Sequence, residues 1–279
     1  MKAKPRKIRR VAIFPALLTL GNLLCGFGAI YYLLMLKQDI PASKYFDAAA
    51  MLVFLAMIFD MLDGRVARYT KSASNFGAQL DSLADVVSFG VVPALLMFRI
   101  VNYANISLPV KFVWIVAAFY VACAALRLAR FNAETTIDEN AHQFFVGLPT
   151  PGAGILIAGL SIVYAKNPGF SYPIAVALLI LTILGAALMV SRFRYAHFLN
   201  RFTRAKPFIQ LIEIVLVVLL VSILHLSLAI TLLVLLYVLS GPLSFIRKLI
   251  FGRRKSAVLS ESAVAEQKKG NFGMQEKQP

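Results

Sequence analysis

Histidine and cysteine are almost missing from this chain, and acidic residues are few. The three histidines, His142, His197 and His225, and the two cysteines, Cys25 and Cys123, show no metal-ligand spacing. A zinc site built on such ligands is therefore excluded. Both cysteines fall inside apolar segments and read as small packing residues rather than a disulfide. No serine, threonine or cysteine stands beside a base in a recognisable nucleophile arrangement, so covalent catalysis is not indicated. Charge is scarce too: 15% of the 279 residues are charged against 59% hydrophobic, and the mean hydropathy is +0.76. That composition excludes an ordinary soluble domain and fits an integral membrane protein. Lys and Arg outnumber Asp and Glu by 29 to 13, a net charge of +16. They lie in short runs between apolar segments, which is the pattern of topogenic loops and not of a nucleic-acid surface.

Eight stretches reach roughly the length a bilayer requires: Val11 to Leu36, Tyr45 to Leu62, Phe76 to Phe98, Leu108 to Leu126, Gly147 to Tyr164, Tyr172 to Val190, Phe208 to Leu224 and Leu226 to Phe245. The expectation is an all-α membrane protein with about eight transmembrane helices in one bundle. Residues 1–10 form a basic juxtamembrane segment suited to anionic headgroups, residues 11–246 the membrane domain, and residues 247–279 a polar tail with no fold of its own. The first apolar stretch is too long for a signal-peptide core and lacks a persuasive cleavage site, so it reads as a retained helix. Alternate loops collect the positive charge. One side takes the N-terminal cluster, then Arg65, Arg68 and Lys71, then Arg127 and Arg130, then Arg192 to Lys206, then the tail, while the other takes only Lys37, Lys44, Arg99, Lys111 and Lys166. Both termini are thus expected in the cytoplasm, with an even number of spans.

Against this background one acidic stretch stands out. Asp60, Asp63, Asp81 and Asp85 are four of the thirteen acidic residues, and they lie inside or at the ends of membrane-length segments. Carboxylates there are costly and usually functional. Asp60 and Asp63 are three residues apart and Asp81 and Asp85 four apart, so each pair shares one face of a helix. Two helices meeting at those faces would gather four carboxylates, and oxygen ligands of this kind suit magnesium, manganese or calcium. A structural network with Arg65 or Arg68 could neutralise one aspartate but not four. Gly64, Ala67 and Gly77 let a bulky ligand approach the backbone, and Arg68 offers a forked donor for phosphate. Asp81 and Asp85 would sit about 7 to 14 Å along their helix from Phe76, in a shallow pocket open to the cytoplasm.

Other polar positions leave alternatives open. Thr19 and Asn22 share a helix face, where they either bond a polar headgroup or assist helix packing with Gly21, Gly26 and Gly28. Arg127, Arg130 and Asn132 end the fourth span on the acidic side, as an anion site or a topogenic cap, and Arg192 and Arg194 pose the same choice. Gly147, Pro149, Pro151, Gly152 and Gly154 predict a broken or late-starting fifth helix. Glu213 in the seventh span reads as facing the bundle.

The string Asp60-x2-Asp63-Gly64-x2-Ala67-Arg68-x8-Gly77-x3-Asp81-x3-Asp85 resembles, without a mismatch, the signature of the CDP-alcohol phosphatidyltransferases. At average residue frequencies such a string arises in about one window per ten thousand million. Softer likenesses to the phosphatidylserine synthase branch of that family lie in FPALLTLGNLLCGF, LRLARFN, FVGLPTP and LMVSRFRY. With the signature they cover about the first two-thirds of the chain.

The resemblance implies transfer of a phosphatidyl group from CDP-diacylglycerol to an alcohol with release of CMP. It implies two divalent cations, Mg2+ or Mn2+, on Asp60, Asp63, Asp81 and Asp85, with Asp85 doubling as general base. It puts CDP-diacylglycerol against Thr19, Asn22, Asp60, Gly64, Ala67, Arg68 and Gly77. L-Serine is the expected acceptor, with Arg127, Arg130 and Asn132 as candidates for its carboxylate. Glycerol 3-phosphate and inositol phosphate are the alternatives within the family. The family also implies a homodimer in the cell membrane. An ion-coupled transporter is the competing class, but no internal repeat supports it, and transport does not explain the spacing of Gly64, Ala67, Arg68 and Gly77.

Overall fold

Apolar runs of this length satisfy their backbone polar groups only by coiling into helices, and helices dominate the computed structural model. It describes residues 13–35, 41–70, 75–137, 144–167, 169, 171–191 and 194–196, with scattered positions between 231 and 242. In chain order these form α1 (Ile13–Leu34), α2 (Ala42–Tyr69), α3 (Asn75–Asp85), a π-helical turn (Val86–Val91), α4 (Val92–Tyr103), α5 (Val110–Ile137), β1 (Phe144–Val146), α6 (Thr150–Lys166), α7 (Ser171–Val190) and β2 (Arg194–Ala196). The run from α3 through the π turn to α4 is one unbroken helix, Asn75–Tyr103.

Among the described residues, five helical runs are long and apolar enough to cross a membrane, and α6 is a shorter apolar helix. This is a multi-pass architecture. The first six expected spans each correspond to a helix, with corrected ends. The second and fourth overrun their apolar cores: α2 continues to Tyr69 and α5 to Ile137, so Arg68, Arg127, Arg130 and Asn132 stand on helix and not on loops. The fifth starts late, as its glycines and prolines predict, with Pro149 capping Thr150. The seventh expected span and Glu213 lie outside the described residues, as do most of the eighth, both termini and the polar tail.

The described residues form an all-helical bundle with one short strand ribbon at its edge. β1 and β2 pair antiparallel, Phe144 opposite Ala196 and Val146 opposite Arg194. They join the segments before α6 and after α7, where two polar-flanked strands bond to each other more readily than they continue either helix. The ribbon leads into Gly147 at φ +85°, and the Leu148 N–H then donates to Leu188 O at 3.0 Å. Only glycine adopts that backbone without cost, and a Cβ on Gly147 would run into the Met189 carbonyl.

In the bundle α1 lies along α2, α3 packs on α1 and α5, and α4 packs on α5, α6 and α7. Phe46, Phe89, Leu96, Met97, Ile100, Tyr120 and Leu156 are among the fully buried side chains that fill its centre. Small residues set the closest approaches. A Cβ on Gly26 would meet Ser88 Cα at 3.1 Å, and one on Gly154 would meet Phe89 Cα at 3.1 Å, so α1 and α6 both rest against the π turn. Cys25 and Cys123 are buried free thiols, consistent with packing roles.

Gly147→Ala forces a side chain into the left-handed region and against the Met189 carbonyl. We expect it to lower stability by about 1–3 kcal/mol, read as a fall in thermal midpoint of the detergent-solubilised protein.

Candidate metal and substrate site

Helical periodicity places Asp60 and Asp63 one turn apart on α2, and the same geometry places Asp81 and Asp85 one turn apart on α3. Three of the four converge. Carboxylate oxygens of Asp60, Asp63 and Asp81 lie within 4.8 Å of one another. Asp85 is outside that trio, 5% exposed, yet near enough to Asp60, Asp63 and Asp81 to interact electrostatically.

The first helix supplies hydrogen-bond donors. Thr19 Oγ1 donates to Asp63 Oδ2 at 2.8 Å, and Asn22 Nδ2 donates to Asp85 Oδ1 at 3.0 Å. Both side chains are buried. Their shared face therefore meets the two acidic pairs: Thr19 holds the second aspartate of α2 and Asn22 the second of α3. These bonds to carboxylates add a third role to headgroup contact and helix packing, the two readings the sequence leaves open. Only the tertiary meeting of α1 with α2 and α3 reveals it.

Magnitudes show what these donors can and cannot do. Three ionised carboxylates about 5 Å apart repel by roughly 3 kcal/mol per pair at an effective dielectric near 20. A hydrogen bond to a charged group returns about 1.5–3 kcal/mol. One bond from Thr19 cannot offset three repelling pairs. Asp81 Oδ1, moreover, is a buried oxygen with no hydrogen-bond partner. Acidic, oxygen-only and short of donors, the trio fits a hard divalent cation.

The remaining site residues fall around it. Gly64 and Ala67 follow Asp63 along α2, half-buried, and Arg68 comes one residue later on that helix. Gly77 lies in the first turn of α3. On α5, buried Arg127 comes close enough to Asp60 to interact electrostatically. Its Nη1 donates to Thr150 Oγ1 at 3.2 Å, and its guanidinium lies 5.5 Å from the Phe131 ring centre, a cation–π distance. Arg130 is about one turn further along α5. Asn132 Nδ2 donates to Ser82 Oγ at 2.8 Å, and Ser82 Oγ donates in turn to Ala78 O at 3.0 Å. The acceptor candidates are thus carried to the acidic helices by α5, with Ser82 and Thr150 as polar partners that no sequence argument singled out. Ser82 follows Asp81 directly and Thr150 lies within FVGLPTP, so both were adjacent to recognised signals. Of Arg192 and Arg194, the first lies outside the described residues and the second is in β2.

A family model described as CDP-alcohol phosphatidyltransferase matches residues 12–189. A Helicobacter pylori (strain J99) protein named CDP-diacylglycerol–serine O-phosphatidyltransferase is 34% identical over 256 residues, 90% of this chain and 99% of its own length. Proteins of the same name from Bacillus subtilis and Methanocaldococcus jannaschii are 35% and 37% identical. Those matches cover 66% and 70% of this chain, and 90% and 83% of theirs.

If the aspartate trio binds a divalent cation, purified protein should take up Mn2+ in an electron-paramagnetic-resonance titration. Asp60→Asn and Asp81→Asn should each weaken that binding by at least about tenfold. Unaltered binding in both variants would exclude the trio as the site.

Proposed function

Because the chain belongs to the CDP-alcohol phosphatidyltransferase family, we propose that it transfers the phosphatidyl group of CDP-diacylglycerol to the hydroxyl of L-serine, giving phosphatidylserine and CMP. The observation that carries the choice of acceptor is the near end-to-end match to a relative bearing the serine transferase name.

In this reading Asp60, Asp63 and Asp81, with Asp85 beside them, hold divalent cation, Mg2+ or Mn2+, two per site. Cation held by these aspartates would supply charge neutralisation for the diphosphate and for the departing CMP. The rest falls to side chains and backbone. Gly64, Ala67 and Gly77 give the nucleotide close access to α2 and α3, and Arg68 binds phosphate. Thr19 and Asn22 border the nucleotide through the carboxylates they orient. The serine hydroxyl oxygen bonds to the phosphatidyl phosphorus as the bond from that phosphorus to the bridging oxygen breaks. CMP leaves with the bridging oxygen, and the hydroxyl proton passes to Asp85. The hydrogen bond from Asn22 to one Asp85 oxygen supports this role, since it orients the carboxylate and leaves its second oxygen to accept the proton. Arg127, Arg130 and Asn132 receive the serine carboxylate.

The charge pattern of the loops supports a site facing the cytoplasm from the cell membrane. Water-soluble serine and CMP would exchange there while the diacyl chains stay between helices in the lipid. A homodimer is the assembly the family reading favours.

The test is an acceptor comparison. Purified protein with CDP-diacylglycerol and Mn2+ should release CMP when serine is added, and not with glycerol 3-phosphate or inositol phosphate. Stimulation by one of the latter would replace serine as acceptor, and no release with any acceptor would sink the transferase reading. Asp85→Asn should cut turnover by about 100-fold or more with nucleotide binding retained. Turnover at the wild-type rate would remove Asp85 as base.

A further inference from the structure

Asp85 is the last residue before the π-helical turn Val86–Val91, and that turn has an identifiable cause. Pro93 sits in the first turn of α4 and has no N–H. The donor that an unbroken α-helix would bring to Phe89 O at position 93 is missing. The backbone widens instead, and the Val92 N–H reaches back five residues to Val87 O, a π-type bond. Each such widening rotates everything on one side of it relative to the other. Here α3 packs on α1 and α5, with Asp81 beside the aspartates of α2, while α4 packs chiefly on α5, α6 and α7.

A wide turn is held only by what surrounds it. The Tyr120 hydroxyl donates to Phe89 O at 3.3 Å, the very carbonyl that Pro93 leaves without its usual donor. Ser88 Oγ donates to the Asn22 backbone carbonyl at 3.0 Å, and Asn22 is the residue whose side chain bonds Asp85. Ser88, Phe89 and Tyr120 are all 0% exposed, and Gly26 and Gly154 bring α1 and α6 into backbone contact with the turn. Phenylalanine at position 120 would fill the same space, so packing alone does not explain a hydroxyl buried in an apolar core, where a polar group without a partner is costly.

We propose that Tyr120 is a positioning residue for the transfer reaction: its hydroxyl fixes the π turn that follows Asp85 and so fixes where the Asp85 carboxylate points, with Ser88 as the second clamp, on Asn22. Tyr120 touches no reacting atom. Its effect runs through one carbonyl and four residues of helix. The inference rests on Asp85 acting as the base, and the experiment separates the two.

Tyr120→Phe and Ser88→Ala are compared with Cys123→Ala, a packing control on the same helix as Tyr120, and with Asp85→Asn. The full chain in detergent is assayed for kcat, for both KM values and for thermal midpoint. Tyr120→Phe should lower kcat about three- to tenfold, the worth of one hydrogen bond, with KM for CDP-diacylglycerol and serine within about twofold, while the loss of the donor to Phe89 O lowers the thermal midpoint modestly. Ser88→Ala should do the same, and Cys123→Ala should keep wild-type kcat. An unchanged kcat in Tyr120→Phe overturns the proposal, as does a kcat loss matched by Cys123→Ala or a KM that rises along with the fall in kcat. If Tyr120→Phe is unaffected while Asp85→Asn is dead, the positioning idea fails and the base stands. Wild-type turnover in Asp85→Asn shows that the base assignment was the error.

Discussion

Mutual repulsion among carboxylates is the constraint to which the centre of this bundle answers. Asp60, Asp63 and Asp81 bring oxygens within 4.8 Å of one another in a largely apolar bundle. Such a cluster persists in a fold only if something else holds the helices together and something of opposite charge enters the gap. The first requirement is met by α1, which lies against both acidic helices and donates to one aspartate on each. The second is a need that a hard divalent cation would fill, since the cluster has oxygens to offer and few donors to quiet them.

Seen from α1, the architecture has a division of labour. α2 and α3 carry the acids, α5 carries Arg127, Arg130 and Asn132, and α1 carries no charge there but orients the acids through the Thr19 hydroxyl and the Asn22 amide. The glycines that let α1 approach are part of the same arrangement, since Gly26 rests on Ser88 and Ser88 bonds the Asn22 backbone. A single helix crossing thus sets the position of a donor, its carboxylate and the turn behind it.

How much of this the sequence discloses depends on whether the information is local. The aspartate pairs are legible because three- and four-residue spacings on a helix are a local rule, and the membrane helices because apolar length is one too. The late start of α6 follows from Gly147 and Pro149 for the same reason. The overrun of α2 and α5 was not legible: charged residues look like a span's end, yet a helix continues when those side chains have neighbours to meet, as Arg127 has in Thr150. The β1–β2 ribbon joins residues about fifty apart in sequence, and no window short enough to read periodicity contains both. Thr19 and Asn22 were noticed as a face, but their partners lie 44 and 63 residues away. The π turn hides in an ordinary apolar run, where Pro93 is a hint whose outcome neighbouring helices decide.

The overrun of the helices has a further consequence, measured from their opposite ends. Counting from Ala42 to Asp60 and Asp63, from Tyr103 back to Asp85 and Asp81, and from Val110 to Arg127 and Arg130 gives between seventeen and twenty-two residues in every case. At 1.5 Å per residue that is about 26–33 Å, close to the roughly 30 Å thickness of a bilayer's hydrocarbon. The three helices that carry the site are rulers of one length: with their far ends at one surface of a bilayer, each would deliver its polar groups to the plane where oil ends and water begins at the other. A nucleotide dissolved in water and a lipid dissolved in the bilayer share no other plane in which both can be met without either leaving its solvent.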